Sequence, residues 1–182
     1  MITASPWTTL DTELKYENQW IAVEHHNVLN PAGGKGIYGK VHFKNMAIGI
    51  IPVDDDFYTY LVGQWRYTLN EFTWEIPEGG GPHTDTPLKS AERELEEETG
   101  LKATTWTDLG RIHTSNSVTD EFGYAFMAQG LTKGSQQLED TEADIKVRHL
   151  PLAEAVDMAM NGQISDALSV FGLLKAARLL KI

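Results

Sequence analysis

The sequence has no cysteine, few basic residues and no long apolar run. The missing cysteine excludes disulfides, thiolate metal sites and a cysteine nucleophile. With 15 Lys and Arg against 26 Asp and Glu, the formal net charge is −11, which argues against a nucleic-acid-binding surface and against docking on anionic membranes. No apolar run approaches the ~20 residues that cross a bilayer. An anionic substrate would therefore need local help from arginines, backbone N–H groups or metal ions.

The length and composition suit one medium domain with a small N-terminal addition. The chain has 182 residues, of which 41% are hydrophobic, and this is enough for an ordinary core. The first residues lack a basic region followed by an apolar segment, so no secretory signal is expected and a cytoplasmic location is the default. The pattern shows neither an internal repeat nor a low-complexity tract.

Hydrophobic patterning predicts a mixture of strands and helices. Two N-terminal strands, at Trp20–Val28 and Ile37–Phe43, flank a turn, and a second pair at Ala47–Val53 and Phe57–Gln64 is expected to form a hairpin. The later predicted elements are strands at 106–112, 124–128 and 145–150, and helices at 151–160 and 165–180. Because strands and helices do not alternate strictly, an α+β fold or an α/β/α sandwich is favoured over a doubly wound parallel sheet.

The stretch Gly79–Leu101 has a glycine-rich turn followed by a glutamate-dense helix. Thr86 suits the N-cap, Pro87 the first helical position, and Gly100 a left-handed end of the helix. One face of this helix is apolar and is expected to be buried; it consists of Leu88, Ala91 and Leu95.

The same helix gathers three carboxylates on one face at the edge of the core. Glu94, Glu97 and Glu98 occupy positions i, i+3 and i+4, where like charges repel by a few tenths of a kcal/mol per pair. A hard divalent cation such as Mg²⁺ would turn this repulsion into binding, because it takes carboxylate oxygens. A glutamate triplet alone is more often a solvated helix face, so the flanking residues decide between the two interpretations.

Those flanking residues resemble the Nudix box of the Nudix hydrolases. The pattern is Gly, five residues, an acid, seven residues, then Arg-Glu-apolar-x-Glu-Glu-x-Gly-apolar. Asp85 is the one departure, since the family usually has glutamate there. Other positions resemble the branch that hydrolyses ADP-ribose and nucleoside diphosphate sugars: Tyr16-Glu-Asn-x-Trp20, Gln64-x-Arg66, Glu71, Trp74-Glu-Ile-Pro-x-Gly, and a late Glu-x-Asp-Ile before Leu-Pro-Leu-x-Glu-Ala.

This resemblance implies a fold and an activity. The fold is the Nudix α/β/α sandwich with a mixed sheet, formed by residues 44–182, preceded by an N-terminal β-subdomain at 1–43 that supports a homodimer and part of the substrate site. The activity is Mg²⁺-dependent hydrolysis of ADP-ribose and related nucleoside diphosphate sugars to a nucleoside monophosphate and a sugar phosphate, with Mn²⁺ able to substitute. Neither nucleic acid nor a membrane is an expected partner.

The resemblance also implies metal ligands and catalytic residues. The expected metal ligands are Glu94, Glu98, Glu97 and, through its backbone carbonyl, Glu78. Glu97 also counts among the catalytic residues, together with Arg93, which lies four residues before it and can hold its carboxylate in place. The general base is expected on the polar loop 131–144, with Glu142 nearest the family position and Glu139, Asp140 and Asp144 as alternatives.

The expected substrate contacts lie outside the box. Arg66 is the candidate for the diphosphate because a guanidinium fork matches phosphate oxygens, although a surface arginine would look the same in sequence. Trp20 is expected to stack on the nucleobase, with burial in the core as the alternative. Glu75 and Gln64 complete the substrate set, and Glu75 is expected to contact base or ribose hydroxyls.

Two other functions fit the same motif. One is a Nudix module that binds ADP-ribose without hydrolysing it, and the other is a Nudix enzyme that acts on nucleoside triphosphates or RNA caps. The intact glutamate triplet favours catalysis over sensing, and the negative charge disfavours RNA as a ligand.

Overall fold

The computed structural model describes residues 4–138 and 144–182. The chain forms two compact units, and the first consists of the residues up to Asn45 together with His113–Glu121. The second contains Met46–Ile112 and Phe122–Ile182. The predicted division into 1–43 and 44–182 places residues 113–121 with the second part of the chain, whereas they belong to the first unit. The assignment of separate functions to the two predicted parts of the chain stays a prediction.

The first unit is built on one antiparallel sheet. Its strands are β1 (Thr8–Glu17), β2 (Ile21–Leu29) and β3 (Lys35–Phe43), in the order β1-β2-β3. A bridge between Val41 and Thr119 joins the segment 113–121 to β3. The strand β1 is absent from the sequence-based prediction, because all of its side chains are exposed within this chain and show no buried face.

Among the described residues, the other strands form three further sheets. They are β4 (Asn45–Pro52), β5 (Tyr58–Arg66), β6 (Glu71–Glu75), β7 (Glu78–Pro82), β8 (Leu101–Lys102), β9 (Thr105–Ile112), β10 (Gly123–Gln129), β11 (Thr132–Lys133) and β12 (Lys146–Pro151). The sheet orders are β7-β4-β10-β9, β12-β5-β6 and β11-β8, and β4 runs parallel to β10. The helices are α1 (Pro87–Thr99), α2 (Leu152–Met160) and α3 (Ala167–Leu180).

The predicted hairpin of Ala47–Val53 with Phe57–Gln64 is wrong. The two strands lie in different sheets. In the described residues, they are linked by an isolated antiparallel bridge between Val53 and Thr59. The reason is burial: β4 has core side chains on both faces, so it takes a central place between two other strands. The chain then turns and starts a separate sheet.

Helices cover both faces of the sheet that contains β4. Successive strand residues point to opposite faces. Ile48 and Ile50 therefore pack in one core with Ala91 and Leu95 of α1, whereas Ile51 packs in a second core with α2 and α3. This arrangement confirms the predicted α/β/α sandwich with a mixed sheet. Within the described residues, no helix combines the length and the hydropathy needed to cross a membrane.

The ends of α1 agree with the sequence pattern. The Thr86 hydroxyl accepts a hydrogen bond from the backbone N–H of Lys89 at 3.2 Å, and Gly100 takes the left-handed conformation with φ of 68°. The predicted burial of Leu88 is wrong, because this residue is 37% exposed and the core on this side of the sheet begins at Ala91.

Candidate functional site

The strand β7 and the helix α1 lie in unusually close contact. A Cβ atom at Gly79 would lie 2.3 Å from the carboxyl carbon of Glu94, and one at Gly81 would lie 2.7 Å from Oγ of Ser90. Both distances are too short for a side chain, so these glycines are needed for the approach rather than for the turn alone. The strand therefore passes directly over the carboxylates of the helix.

Two of the three helix carboxylates are buried against this strand. Glu94 is 4% exposed and Glu98 is fully buried, whereas the side chain of Glu97 is 30% exposed. The backbone N–H of Glu78 donates to Oε2 of Glu98 at 2.9 Å. A solvated glutamate face would leave such side chains in water, so solvation alone does not explain the carboxylates of Glu94 and Glu98.

Arg93 holds the carboxylate face together from its solvent side. Its guanidinium donates to Glu97 at 2.5 Å, to Glu94 at 2.6 Å and to the carbonyl of Gly80 at 2.8 Å. The predicted contact between Arg93 and Glu97 is thus present, and the same side chain also ties the helix to β7. A positive charge here offsets the mutual repulsion of the carboxylates.

A second ion cluster lies at the end of β5. Arg66 donates from Nε and Nη2 to the carboxylate of Glu75 and from Nη2 to Oε1 of Glu78 at 2.9 Å. Thr73 adds a hydroxyl hydrogen bond to Glu75 at 2.7 Å. Burial raises the pKa of the Glu78 carboxyl well above its usual value, and the neighbouring carboxylates of Asp166 and Glu75 act in the same direction.

The donor set suits a hard divalent cation. Within residues 4–138 and 144–182, no three His, Cys, Asp or Glu side chains are already arranged around one point as metal ligands. Mg²⁺ does not need such a cage, because it keeps several waters and binds through one or two carboxylates. The buried carboxylates of Glu94 and Glu98 beside the β7 backbone fit this chemistry, and the metal-ligand assignment stays a prediction.

Comparisons with known proteins agree with this geometry. The NUDIX domain model matches residues 44–169, and the model of the nucleoside diphosphate sugar hydrolase N-terminal domain matches residues 7–41. An ADP-ribose pyrophosphatase of Mycobacterium tuberculosis (strain ATCC 25618 / H37Rv) is 32% identical over 173 residues, covering 91% of this chain and 81% of the relative. The chain belongs to the Nudix family.

Other matches give the same picture for this Nudix hydrolase. An ADP-ribose pyrophosphatase of Bacillus subtilis (strain 168) is 29% identical over 128 residues, which cover 70% of this chain and 69% of the relative. A crystal structure of an ADP compounds hydrolase superposes with a TM-score of 0.87 at 21% identity, covering all of this chain and 97% of the other. At that identity the likeness of the two structures concerns the fold.

The Nudix box residues are the part of the predicted site that the structure brings together. Glu94, Glu98 and Arg93 meet beside β7, with the Glu78 backbone bonded to Glu98. Asp85, the departure from the family pattern, forms an i, i+4 ion pair with Lys89 at 2.9 Å. The substitution therefore leaves this acid engaged at the start of the helix.

The predicted substrate residues come from both units of the chain. Trp20 is 60% exposed in the first unit, so burial in the core of that unit does not explain it. Gln64 is half-buried on β5, opposite Thr73 of β6. Glu75 is 3% exposed and paired with Arg66. Their roles toward substrate stay predictions, and Glu142, Glu139 and Asp140 lie outside the described residues.

Two residues of this region, Asp166 and Ser169, are not among the site residues predicted from sequence. Asp166 caps α3 by accepting from the backbone N–H of Ser169 at 2.6 Å, and it also faces Glu78. Ser169 in turn accepts a hydrogen bond from the backbone N–H of Ile76 at 3.0 Å. An Asp before a helix is a recognisable N-cap signal, but its proximity to Glu78 follows only from the packing of α3.

Proposed function

We propose that this Nudix hydrolase cleaves the pyrophosphate bond of ADP-ribose and related nucleoside diphosphate sugars. A water oxygen bonds to one phosphorus while the bond from that phosphorus to the bridging oxygen breaks. The bridging oxygen leaves with the other phosphate, so ADP-ribose gives AMP and ribose 5-phosphate. The observation that carries the chemistry is the buried carboxylate face of α1 against β7. The substrate class rests on the relatives and on the match of the N-terminal domain.

The chain's own residues prepare the site for this reaction. The backbone N–H of Glu78 orients the carboxylate of Glu98, and Arg93 orients those of Glu94 and Glu97. We propose Glu94, Glu98, Glu97 and the Glu78 carbonyl as ligands of Mg²⁺, with Mn²⁺ as a substitute. When bound, the divalent cation neutralises phosphate charge and lowers the pKa of a coordinated water.

Arg66 is proposed to bind the substrate diphosphate in addition to its internal ion pairs. Its side chain is 33% exposed although it bonds two carboxylates, so part of the side chain faces solvent. Burial alone would lower the pKa of Arg66, but the carboxylates of Glu75 and Glu78 raise it, so the group stays charged. A planar fork fixed in this way is pre-organised for phosphate oxygens.

A substrate panel with product identification tests this function. ADP-ribose, GDP-mannose, UDP-glucose, diadenosine polyphosphates and nucleoside triphosphates are compared with Mg²⁺, Mn²⁺ and no metal. We expect the highest kcat/KM on ADP-ribose or another nucleoside diphosphate sugar. Binding of ADP-ribose without turnover would instead identify a sensor, and preference for triphosphates or capped RNA would identify the other alternative.

Glu142 stays the proposed general base. An attacking water has to lose a proton, and the carboxylates of α1 are assigned to the metal. We expect Glu142→Gln to lower kcat strongly with little change in Mg²⁺ affinity or in the affinity for ADP-ribose, as measured by single-turnover kinetics and calorimetry. If Glu142→Gln turns over normally whereas Glu139→Gln or Asp140→Asn is inactive, the base is a different acid of the same loop.

We also propose a homodimer formed through the first unit. Leu10, Leu14, Tyr16 and Trp20 are each more than half exposed within one chain, and an exposed apolar surface of this kind typically marks an interface. Light scattering at micromolar concentration should give about twice the 20.3 kDa chain mass, and a monomeric mass would reject this proposal. We further propose that the protein is cytoplasmic and that it has neither nucleic-acid nor membrane partners.

A further inference from the structure

A distant segment of the chain covers the C-terminal end of α1. We call residues 133–137 the strap. The last carbonyls of a helix have no partner inside the helix and need one from elsewhere. Here the backbone N–H of Gln137 donates to the carbonyl of Glu97 at 3.0 Å, and Nε2 of Gln136 donates to the carbonyl of Glu98 at 2.5 Å. Both carbonyls belong to residues of the carboxylate face.

The strap is held in one position on the helix. The backbone N–H of Gly134 donates to the carbonyl of Gly100 at 2.7 Å, and β11 pairs with β8 just before this contact. A Cβ atom at Gly100 would lie 3.2 Å from the backbone nitrogen of Gln136, which is a closer approach than most side chains allow. The strap thus replaces solvent along the last turn of α1.

Gln136 differs from its neighbours because its side chain makes the contact. The backbone N–H groups of Gln137 and Gly134 would remain after almost any substitution, whereas the bond to Glu98 depends on the amide of Gln136. Glu98 is fully buried, and its carboxylate is fixed by the N–H of Glu78. Its peptide group is fixed by Gln136, so the residue is held at both ends.

We propose that Gln136 is a positioning residue for the metal face of α1, an inference that rests on the proposed function. The last turn of a helix opens easily when its carbonyls lack partners. Opening here would move the Glu98 backbone and carry its carboxylate away from β7. The amide of Gln136 prevents this, and it acts on the metal only through Glu98.

Metal binding to the substrate-free protein tests this role without relying on turnover. Mn²⁺ affinity is measured by electron paramagnetic resonance for the wild type, Gln136→Ala and Gln136→Met, with Gln137→Ala as the matched control. Met occupies a similar volume but has no N–H donor. We expect about tenfold weaker Mn²⁺ binding in both Gln136 variants, because partners that orient a metal ligand typically contribute 10–100-fold to affinity. Gln137→Ala keeps its backbone N–H and should bind like the wild type.

Hydrogen exchange and kinetics complete the experiment. The backbone N–H of Gln137 should exchange faster in both Gln136 variants, and kcat at a fixed Mg²⁺ concentration should fall with the KM for ADP-ribose unchanged. Unchanged Mn²⁺ affinity in Gln136→Ala, with or without a lower melting temperature, overturns the proposal. So does wild-type affinity in Gln136→Met, or a wild type that binds no Mn²⁺. If the wild type binds Mn²⁺ but hydrolyses none of the substrates in the panel, the proposed function is rejected and the positioning role of Gln136 is not.

Discussion

Two arginines in this protein each pair with two carboxylates, but the clusters are built differently. Arg93 contacts Glu94 and Glu97, which lie one and four residues further along the same helix. Arg66 contacts Glu75 and Glu78, which lie on two other strands. The first cluster follows from helix geometry, and the second exists only because β5, β6 and β7 come together. The difference shows which ion pairs can be inferred from sequence spacing.

The two clusters also differ in their proposed roles. The Arg93 cluster places its buried carboxylates beside β7, where we propose the metal binds. The Arg66 cluster neutralises Glu75, which is 3% exposed, while the Arg66 side chain itself stays 33% exposed. A buried carboxylate without a cation is costly, so Arg66 has a structural role whether or not it touches the diphosphate.

The largest effect is expected from the helix cluster. Glu98→Gln keeps the size of the side chain but removes the charge that a metal requires. We expect kcat/KM to fall by roughly a thousandfold or more with little change in melting temperature, measured at saturating Mg²⁺. Glu92→Gln, on the exposed side of the same helix, is the matched control and should be fully active. Near-normal turnover of Glu98→Gln would remove the metal face from the mechanism.

A smaller effect is expected at Arg66, where both activity and stability should fall. Arg66→Ala should lower kcat/KM by roughly ten- to a hundredfold, since a charged hydrogen bond to phosphate is worth about 1.5–3 kcal/mol. It should also lower the free energy of unfolding by about 2 kcal/mol, less than for a fully buried pair because Arg66 is 33% exposed. Steady-state kinetics and urea unfolding separate the two effects.

A double variant sharpens the comparison at the Arg66 cluster. Arg66→Ala with Glu75→Gln should regain much of the lost stability but not the lost kcat/KM. Recovery of both would mean that Arg66 only neutralises Glu75. Arg148→Ala removes an exposed ion pair with Glu154 and serves as the control. Its free energy of unfolding should change by less than about 0.5 kcal/mol.

The smallest effect on stability is expected in the first unit. Its ion cluster joins Asp120 to His42, which lies 78 residues away in the sequence. Burial alone would raise the pKa of Asp120, but hydrogen bonds from His42, Lys40 and the backbone N–H of Phe43 lower it from 3.8 to about 2. Because the folded-state pKa is the lower one, the stabilisation is complete above pH 3.8 and disappears as the pH falls through about 2.

Chemical unfolding across pH checks this expectation. Asp120→Asn should lower the free energy of unfolding by about 1 kcal/mol at pH 6, a value reduced for solvent exposure. The gap between wild type and variant should close between about pH 4 and 2. Asp56→Asn, at an exposed position, is the control and should follow the wild type throughout. A gap that stays constant down to pH 2 would show that Asp120 contributes through something other than its charge.

Much of the fold was predictable because many elements have a local signature. The strand at Tyr124–Ala128 and the helix near 165–180 were expected close to where β10 and α3 lie. The hairpin of β4 with β5 was a wrong prediction because two adjacent apolar strands look alike whether they pair with each other or join different sheets. β1 was missed because no side chain of it is buried within this chain.

The sequence by itself determined the helix α1 and its carboxylate face. Thr86, Pro87 and Gly100 set its ends, and a rotation of about 100° per residue places Glu94, Glu97 and Glu98 together and Arg93 beside them. These relations involve neighbours within one or two turns. They hold in any fold that keeps the segment helical.

Only the tertiary structure decided which of these groups are buried and what holds them. The spacing is the same for a solvated helix and for a site, so the burial of Glu98 required β7 to lie across α1. The ion pairs of Arg66 with Glu75 and Glu78 exist only because β6 and β7 lie near the end of β5. Gln136 lies 38 residues from Glu98. Contacts at such separations depend on how the sheets and helices pack, which periodicity along the chain does not specify.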